Sequence, residues 1–600
     1  MYGWTGTTLR IDLTNGTAKR EATNMKLAHE YIGARGLGGR ILADEVDHNV
    51  DALGPDNKLI FAPGPFSGTF APSAGRFNVI TKSPLNGTIA GSNSGGNFGA
   101  EMKYAGYDVV IIEGKAAKPV YLWIRDDKVE LRDAAGLWGL NAHDTTDKVR
   151  EVTDEDAKVA CIGPAGEHLS LMACIMNEMH RAAGRTGVGA VMGSKNLKAI
   201  AVVGTGAVKV ADPEAFKAAV LASRRKIQEH PVGGAGLKAY GTNVLVNILN
   251  ETGALPTRNF QDGYFPTADK IGGESLAAKQ LVRPKGCFSC IISCGRVTKV
   301  DNPEYAGIGE GPEYETAWGF GADCGIDDLD AITKANFLCN EYGIDTIAMS
   351  STVACAMELF ERGYLTLADT DGVDLRFGNV PAMVEMVRKT GEGEGFGKRL
   401  AEGSYRLADS VGHPELSMTV KKQEMPAYDP RGVQGIGLNY ATNNRGGCHV
   451  RGYTIAVEVL GNTATMDPRV TEGKAGLDIA FQNLTAALDS SGACLFCTFG
   501  IGADELAGML TALTGVEYSV DEFIKIGERI WNNERMWNLD NGYTSADDTL
   551  PPRLFEEPIK TGSAKGEVSH LGEMLPEYYS LRGWDEAGVP TAEKLADLSL

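Results

Sequence analysis

Three cysteines within eight residues constrain this chain more than any other feature. The stretch RPKGCFSCIISCGR, residues 283–296, sets Cys287, Cys290 and Cys294 in a Cys-x-x-Cys-x-x-x-Cys run. A structural zinc usually draws two ligand pairs from separate loops, whereas an iron–sulfur cube takes one thiolate per iron. The run therefore reads as part of a cluster site that lacks one ligand. Pro284 and Gly286 mark a turn beside it. The plainer reading is three small apolar side chains packed on one helix.

A chain of 600 residues is too long for one core and divides into about three or four domains. Hydrophobic residues at 43% and charged residues at 23% suit a globular protein with ample burial. The 58 basic against 78 acidic residues leave a net charge of −20, which disfavours nucleic acid or an anionic membrane as partner. The opening MYGWTGTTLRIDLTNG has no basic segment followed by an apolar run, and the longest apolar runs, VVII at 109–112 and AIAVVG at 199–204, are too short to cross a bilayer. A cytoplasmic location without membrane contact is expected. In that setting the eleven cysteines argue for thiols, metal ligands or redox chemistry rather than disulfides. Glycines cluster in GARGLGGR, AGSNSGGNFG and RAAGRTGVGAVMGSKN, where backbone must approach something closely, a ligand by expectation.

The predicted fold class is α+β, with an N-terminal β-rich, two-sheet cofactor-binding domain at 1–210 followed by two mainly helical domains at 211–417 and 418–600. TLRIDLT-NG-TAKRE and VYLWIRDDKVELRD read as hairpins. At 211 the period changes. Asp212 is placed to cap a helix that starts at Pro213 and runs to about His230. Further helical patterns follow in DDLDAITKANFLCNEYG and AMSSTVACAMELFERG. KTGEGEGFGKR and the tail from TSADDTLPPRLFEEP onward read as surface loops or arms.

A weak internal repeat joins Asn340-Glu-Tyr-Gly343-Ile344-Asp345 to Asp489-Ser-Ser-Gly492-Ala493-Cys494. Two similar turns suggest two similar ligands, although Asx and Gly are common in any turn. In GPEYETAWG, alternation puts Glu313 and Glu315 on one face of an extended segment, and GGCHVRGY carries His449. On residue type alone these are a solvated acid pair and a packed histidine.

These residues resemble the tungsten-containing aldehyde ferredoxin oxidoreductases, along nearly the whole chain. The resemblance implies that Cys494, at the end of the second turn, supplies the fourth thiolate to a 4Fe-4S cluster held by Cys287, Cys290 and Cys294. It implies that the two turns, through Asn340, Gly343, Asp345, Asp489 and Gly492, bind two pterin dithiolenes around one tungsten. Asn340 stands where the family has Asp, and Ala493 where it has Leu. PGPFSGTFAPSAGRFNV with Arg76, GSNSGGNFGAEMKYAGYD with Asn93 and Gly95, RAAGRTGVGAVMGSKNLKAI with Ala183, and MPAYDPRG match the family pattern for a cofactor cradle. There Arg76 would bridge pterin and cluster, and the carbonyls of Asn93 and Ala183 would hold a Mg2+ that links the pterin phosphates. The resemblance also places the Glu313/Glu315 segment and His449 beside the metal, with Glu313 as the base that activates water and His449 as hydrogen-bond donor to an aldehyde. Neither reading gives the chain an interface metal, because 211–417 holds no Glu-x-x-His pair. The remaining cysteines are expected to be buried thiols.

The expected activity is oxidation of aldehydes to carboxylic acids, with electrons passed to a ferredoxin or to an iron–sulfur subunit, with or without a flavin subunit that reaches NAD, in an oligomer or complex. Two alternatives stand beside it: the catalytic subunit of a tungsten-dependent aromatic acyl-CoA reductase, and a non-catalytic iron–sulfur electron-transfer subunit.

Overall fold

The computed structural model describes residues 1–462 and 464–600. Its N-terminal part is two mixed sheets of six strands each. The first holds β1 (Thr7–Asp12), β2 (Thr17–Ala22), β3 (Leu59–Pro63), β4 (Phe77–Lys82), β5 (Ile89–Ser94) and β6 (Val109–Glu113), in the order β2-β1-β6-β3-β4-β5. The second holds β7 (Val120–Arg125), β8 (Lys128–Asp133), β9 (Lys158–Cys161), β10 (Ile175–Asn177), β11 (Arg181–Ala183) and β12 (Leu197–Val203), in the order β11-β10-β9-β12-β7-β8. Reversing the second list lays β7–β12 on β1–β6 strand for strand. The pairings agree as well: β1 with β6 and β7 with β12 are the parallel pairs, and the others are antiparallel. The two sheets are thus copies of one design. Their central strands, such as LIFAP, VVIIE and LKAIAVV, are apolar apart from Glu113 and Lys198 because both faces are covered. Their outer strands TAKREA and KVELRD carry charges that blunt the open edge.

Each copy receives the end of one long helix. Gly64-Pro65 follows β3 and Gly163-Pro164 follows β9. A methyl on Gly64 would lie 2.2 Å from the Ser491 carbonyl carbon, and one on Gly163 would lie 2.2 Å from the Tyr342 carbonyl oxygen. Ser491 ends the helix Lys474–Ser491 and Tyr342 ends Leu329–Tyr342. Both helices close on a left-handed glycine, Gly492 at φ +88° and Gly343 at φ +73°. The internal repeat in the sequence is therefore a pair of helix ends docked at equivalent strands.

Mainly helical structure follows. Asp212 caps Pro213–Glu229 through its side chain, which accepts from the Ala215 N–H at 3.0 Å, as the sequence predicts. A three-stranded sheet of β13 (Leu281–Lys285), β14 (Gly295–Val300) and β15 (Gly307–Glu310) interrupts the helices. The cysteine run forms the β13–β14 connection, because Lys285 pairs with Gly295. It is a loop and not a helix.

Three sequence expectations need correction. Glu313 and Glu315 are not on an extended segment: Glu313 is the N-cap of the helix Tyr314–Phe320 and Glu315 lies in its first turn. KTGEGEGFGKR is mostly helical, with Val380–Glu392 ending inside it and Gly397–Leu400 following. The tail is not an arm. Arg553 is buried against Glu358 at 2.5 and 2.8 Å, and Leu554, Met574 and Tyr578 are in the core. Interleaved Pro and Gly hide that tail's short helices from any period count.

A second buried pair ties the helix Ala34–Glu45 to the helix Val520–Asp540. Arg35 donates to both oxygens of Glu534 at 2.8 Å. Burial opposes ionisation of Glu534, but Arg35 and Arg451 overcome it and hold the carboxyl down to about 2. A depressed acid stabilises the fold above its unfolded value near 4.5 and loses that contribution as the pH falls toward 2, an increment of about 3 kcal/mol. Glu534→Gln should destabilise the protein at pH 7 by about 3–5 kcal/mol by chemical denaturation, with the gap to wild type narrowing between about pH 4.5 and 3. Gly64→Ala should lower stability by about 3 kcal/mol or more. Gly476→Ala, in a helix where a methyl meets nothing within 4 Å, should raise it by about 0.5–1 kcal/mol on the same assay.

Candidate active site

A cavity of about 330 Å³ opens where the duplicated sheets meet the helical part. One wall is polar and carries Arg181, Glu310, Glu313, Glu315 and His449. The lining also includes the apolar side chains of Val232, Leu237, Leu245, Leu460, Phe496 and Phe499. The volume suits an organic group of cofactor or substrate size.

Glu315 and His449 face each other across the polar wall. Glu315 Oε2 accepts from the Ala427 N–H at 3.0 Å. Its Oε1 lies 3.4 Å from His449 Nε2 and has no hydrogen-bond partner. Burial pushes the Glu315 carboxyl up to about 8. Burial, with Arg185 and Arg445 adding like charge, holds the His449 imidazole far below its usual range. Near neutrality the pair is a protonated acid facing a neutral ring. His449 Nδ1 is buried and unpartnered. Tyr428 packs on the ring, with centroids 5.5 Å apart.

Glu313 is half-buried on the same wall and accepts from Thr242 Oγ1 at 2.6 Å. The same threonine oxygen receives the Tyr314 N–H at 2.9 Å, so one side chain fixes both the helix start and the carboxylate.

A smaller cavity of about 30 Å³ adjoins the first and is lined by Cys287, Cys290, Cys294 and Cys494 together. Arg76 and Arg181 line both spaces. Arg76 donates to Cys494 Sγ at 3.0 Å and to Asn93 Oδ1 at 3.0 Å, and Asn93 donates on to Asp489 Oδ1 at 3.3 Å. A half-buried cation beside four thiols fits an anionic cluster. Among the described residues no three His, Cys, Asp or Glu side chains are placed to bind a single bare ion. The cradle is tight as well. A methyl on Gly95 would come 2.9 Å from Cys287 Sγ.

Of the residues predicted from sequence, Arg76, Gly95, Glu313, Glu315, Asn340, Asp345 and His449 line the large cavity, and the four cysteines line the small one. Asn93, Ala183, Gly343, Asp489 and Gly492 line neither. They sit one layer behind: Gly492 accepts from the Arg76 N–H at 3.2 Å, and Gly343 accepts from the Cys174 N–H at 2.8 Å. Asn340 donates to the Glu310 carbonyl at 3.2 Å. Asp345 pairs with Arg185 at 3.0 Å. Sequence reasoning passed over Arg181, Glu310, Thr242 and Tyr428, although three of them lie inside or beside quoted motifs. Cys174 is a buried thiol, as expected, and also borders the cavity. Cys448 and Cys497 line neither space.

Two family models match the chain: the N-terminal domain of aldehyde ferredoxin oxidoreductase over residues 8–204, and domains 2 and 3 of the same family over 218–600. A protein named tungsten-containing aldehyde ferredoxin oxidoreductase from Pyrococcus furiosus is 52% identical over all of this chain and 99% of its own length. From the same organism, the WOR-like subunit of an aliphatic sulfonate oxidoreductase is 30% identical, with 100% and 97% covered. Among solved structures, a chain of the active-site complex BamBC of benzoyl coenzyme A reductase, solved with 1,5 dienoyl-CoA, superposes with a TM-score of 0.86 at 26% identity, covering 100% of this chain and 97% of that one. Matched by both models and half identical to a relative over its whole length, the chain belongs to the aldehyde ferredoxin oxidoreductase family.

Proposed function

We propose that this enzyme oxidises aldehydes to carboxylates, RCHO + H2O → RCOO⁻ + 3H⁺ + 2e⁻, and sends the electrons through a 4Fe-4S cluster to an external iron–sulfur carrier. The observation that carries the reading is the pair of adjoining cavities, one lined by an acid–imidazole pair and apolar side chains and the other by four cysteines, with Arg76 and Arg181 in both linings. Relatives of the same length at about half identity, named for this activity, support the aldehyde over an acyl-CoA ring, since the benzoyl coenzyme A reductase chain stands at 26%. When bound, tungsten between two pterin dithiolenes would supply the two-electron acceptor, and the cluster would supply one-electron exit. Asp345, Asn340, Arg76 and Gly95 would border the pterins. Asn93 and Ala183 lie on the corresponding edge strands β5 and β11 of the two sheet copies, and a Mg2+ between two phosphates would be held by their carbonyls.

The side chains divide the work. Glu313, oriented by Thr242, is the base that takes a proton from the attacking water. His449 is the donor to the aldehyde oxygen. Its tautomer follows from its neighbours: a protonated Glu315 Oε1 offers its hydrogen to His449 Nε2, so the ring proton sits on Nδ1, the nitrogen with no other partner. Arg181 and Arg296 lie within coulombic reach of Glu313. The apolar lining takes the substrate's hydrocarbon part and excludes bulk water.

The tautomer argument fixes a pH dependence. Below about 8 Glu315 keeps its proton and His449 Nδ1 remains a donor; above it Glu315 ionises, draws a proton to Nε2 and turns Nδ1 into an acceptor. Aldehyde kcat/KM with a viologen acceptor should fall about tenfold per pH unit above about 8. Glu315→Gln, whose amide donates at every pH, should keep activity within about fivefold at pH 7 and lose that alkaline limb. Glu313→Gln should lower kcat at least about 10²-fold with full tungsten content; near-normal turnover removes the base role.

Elemental analysis tests the cofactor set. Anaerobically prepared protein should hold about one tungsten and about four irons per chain. Cys494→Ser should lose iron and the visible cluster absorbance while it retains tungsten. Iron without tungsten in wild type would overturn the reading.

A further inference from the structure

We infer that the face of the helix Pro213–Glu229 is the docking surface for a small acidic iron–sulfur electron carrier, which reads the cluster through the Cys287–Cys290 turn. The inference rests on the proposed 4Fe-4S assignment and deepens it by naming where electrons leave.

The helix lies against the cysteine loop. Arg224 donates to Ser289 Oγ at 3.0 Å, and Ser289 sits between Cys287 and Cys290 in sequence. The same serine's carbonyl accepts from the Ser73 N–H at 3.0 Å, so the turn is braced on two sides and has little freedom to reorganise. Ser289 and Cys290 are half-buried, not enclosed. Arg224 is thus a fixed cation on the outer side of the thiol group.

Around it the helix shows solvent a stripe that its fold does not use. Phe216, Val220, Ser223 and Ile227 point inward. Lys217, Leu221 and Arg225 lie four residues apart on the opposite face and are exposed. Leu221 is 53% exposed, and Phe70, whose ring packs edge-on against Phe216 at 5.1 Å, is 45% exposed. An exposed leucine between two cations on the helix, with exposed Phe70 packed at its first turn, has the composition of a docking patch rather than of a solvated helix face.

Charge selects the occupant. Over the whole chain acids outnumber bases and the net charge is −20, so an acidic protein is repelled by most of the surface. Pro213–Glu229 reverses the balance, with Lys217, Arg224, Arg225 and Lys226 against Glu214 and Glu229. Lys226 is paired with Glu505, which leaves Lys217, Arg224 and Arg225 to face a partner. A local positive patch in a negative field orients an acidic carrier onto this spot and raises its encounter rate.

The test uses holoenzyme, an aldehyde, and two acceptors: methyl viologen and a purified two-cluster bacterial-type ferredoxin. Lys217→Glu with Arg225→Glu should raise KM for ferredoxin at least about tenfold and flatten the fall of its rate with added salt, while kcat with viologen is unchanged. Lys398→Glu, a charge reversal on another exposed helix, should change neither. Leu221→Ser should weaken ferredoxin reduction without altering salt dependence. The proposal falls if the double variant reduces ferredoxin as wild type does, if wild type reduces viologen but never ferredoxin, or if the substitutions shift the sedimentation of the chain alone, which would make the face a contact between copies. Loss of viologen reduction in wild type would instead sink the aldehyde reading, a separate outcome.

Discussion

Two places where backbone presses on backbone hold the site together. Gly64 and Gly163 leave no room for even a methyl group beside Ser491 and Tyr342, so each sheet copy touches one helix end directly, without side chains between. That contact sets the position of everything that follows the helices. Gly492 and Gly343 turn the chain at left-handed φ within the same few ångströms, and the next two residues deliver Cys494 and Asp345. The pairing is thus a positional device. A duplicated sheet offers two equivalent docking points, two helices end on them, and the space enclosed between the two ends is a cavity with approximate twofold character.

How much of this was legible depends on the range over which each signal acts. The hairpins at 7–22 and 120–133, the Asp212 cap and the cysteine run are local, and the structure keeps all of them. The Asn340–Asp345 and Asp489–Cys494 repeat was legible as a pattern, but its meaning was not, because its partners Gly64 and Gly163 lie hundreds of residues away and glycine carries no side chain to announce a contact. The sheet duplication escaped for a related reason: Gly99, Ala100 and Met102 stand ninety residues before Gly189, Ala190 and Met192, too few identities to rise above background. Glu313 and Glu315 were found with the wrong geometry. A period of two in GPEYETAWG suggests a strand, yet Thr242 binds both the Tyr314 N–H and the Glu313 carboxylate and starts a helix there, a tertiary contact that outweighs local alternation. The tail from 544 was misread because Arg553 finds its partner Glu358 nearly two hundred residues away.

The two copies are most instructive where they differ. At the last position of the turn one has Cys494 and the other Asp345, and each side chain meets an arginine at the same distance, Arg76 with Cys494 at 3.0 Å and Arg185 with Asp345 at 3.0 Å. The electrostatic role is kept while the chemistry diverges. Cys494 shares its cavity with Cys287, Cys290 and Cys294 and can complete a four-thiolate set, whereas Asp345 has no such set beside it, so only the Arg76 side becomes the proposed exit for electrons.

On the other side the Asp345–Arg185 pair acts on the substrate wall instead. Burial raises the Glu315 carboxyl, with Arg185 opposing and Asp345 adding to it, and Arg185 joins burial in keeping the His449 imidazole neutral. Burial thus favours an acid that holds its proton beside a neutral ring. The divergence of a single turn position therefore separates two tasks that interfere when they share a face: proton transfer needs donors with adjustable protonation, whereas electron exit needs a rigid anionic centre with fixed counter-charge. Placing them on opposite copies of one scaffold lets each be tuned without disturbing the other.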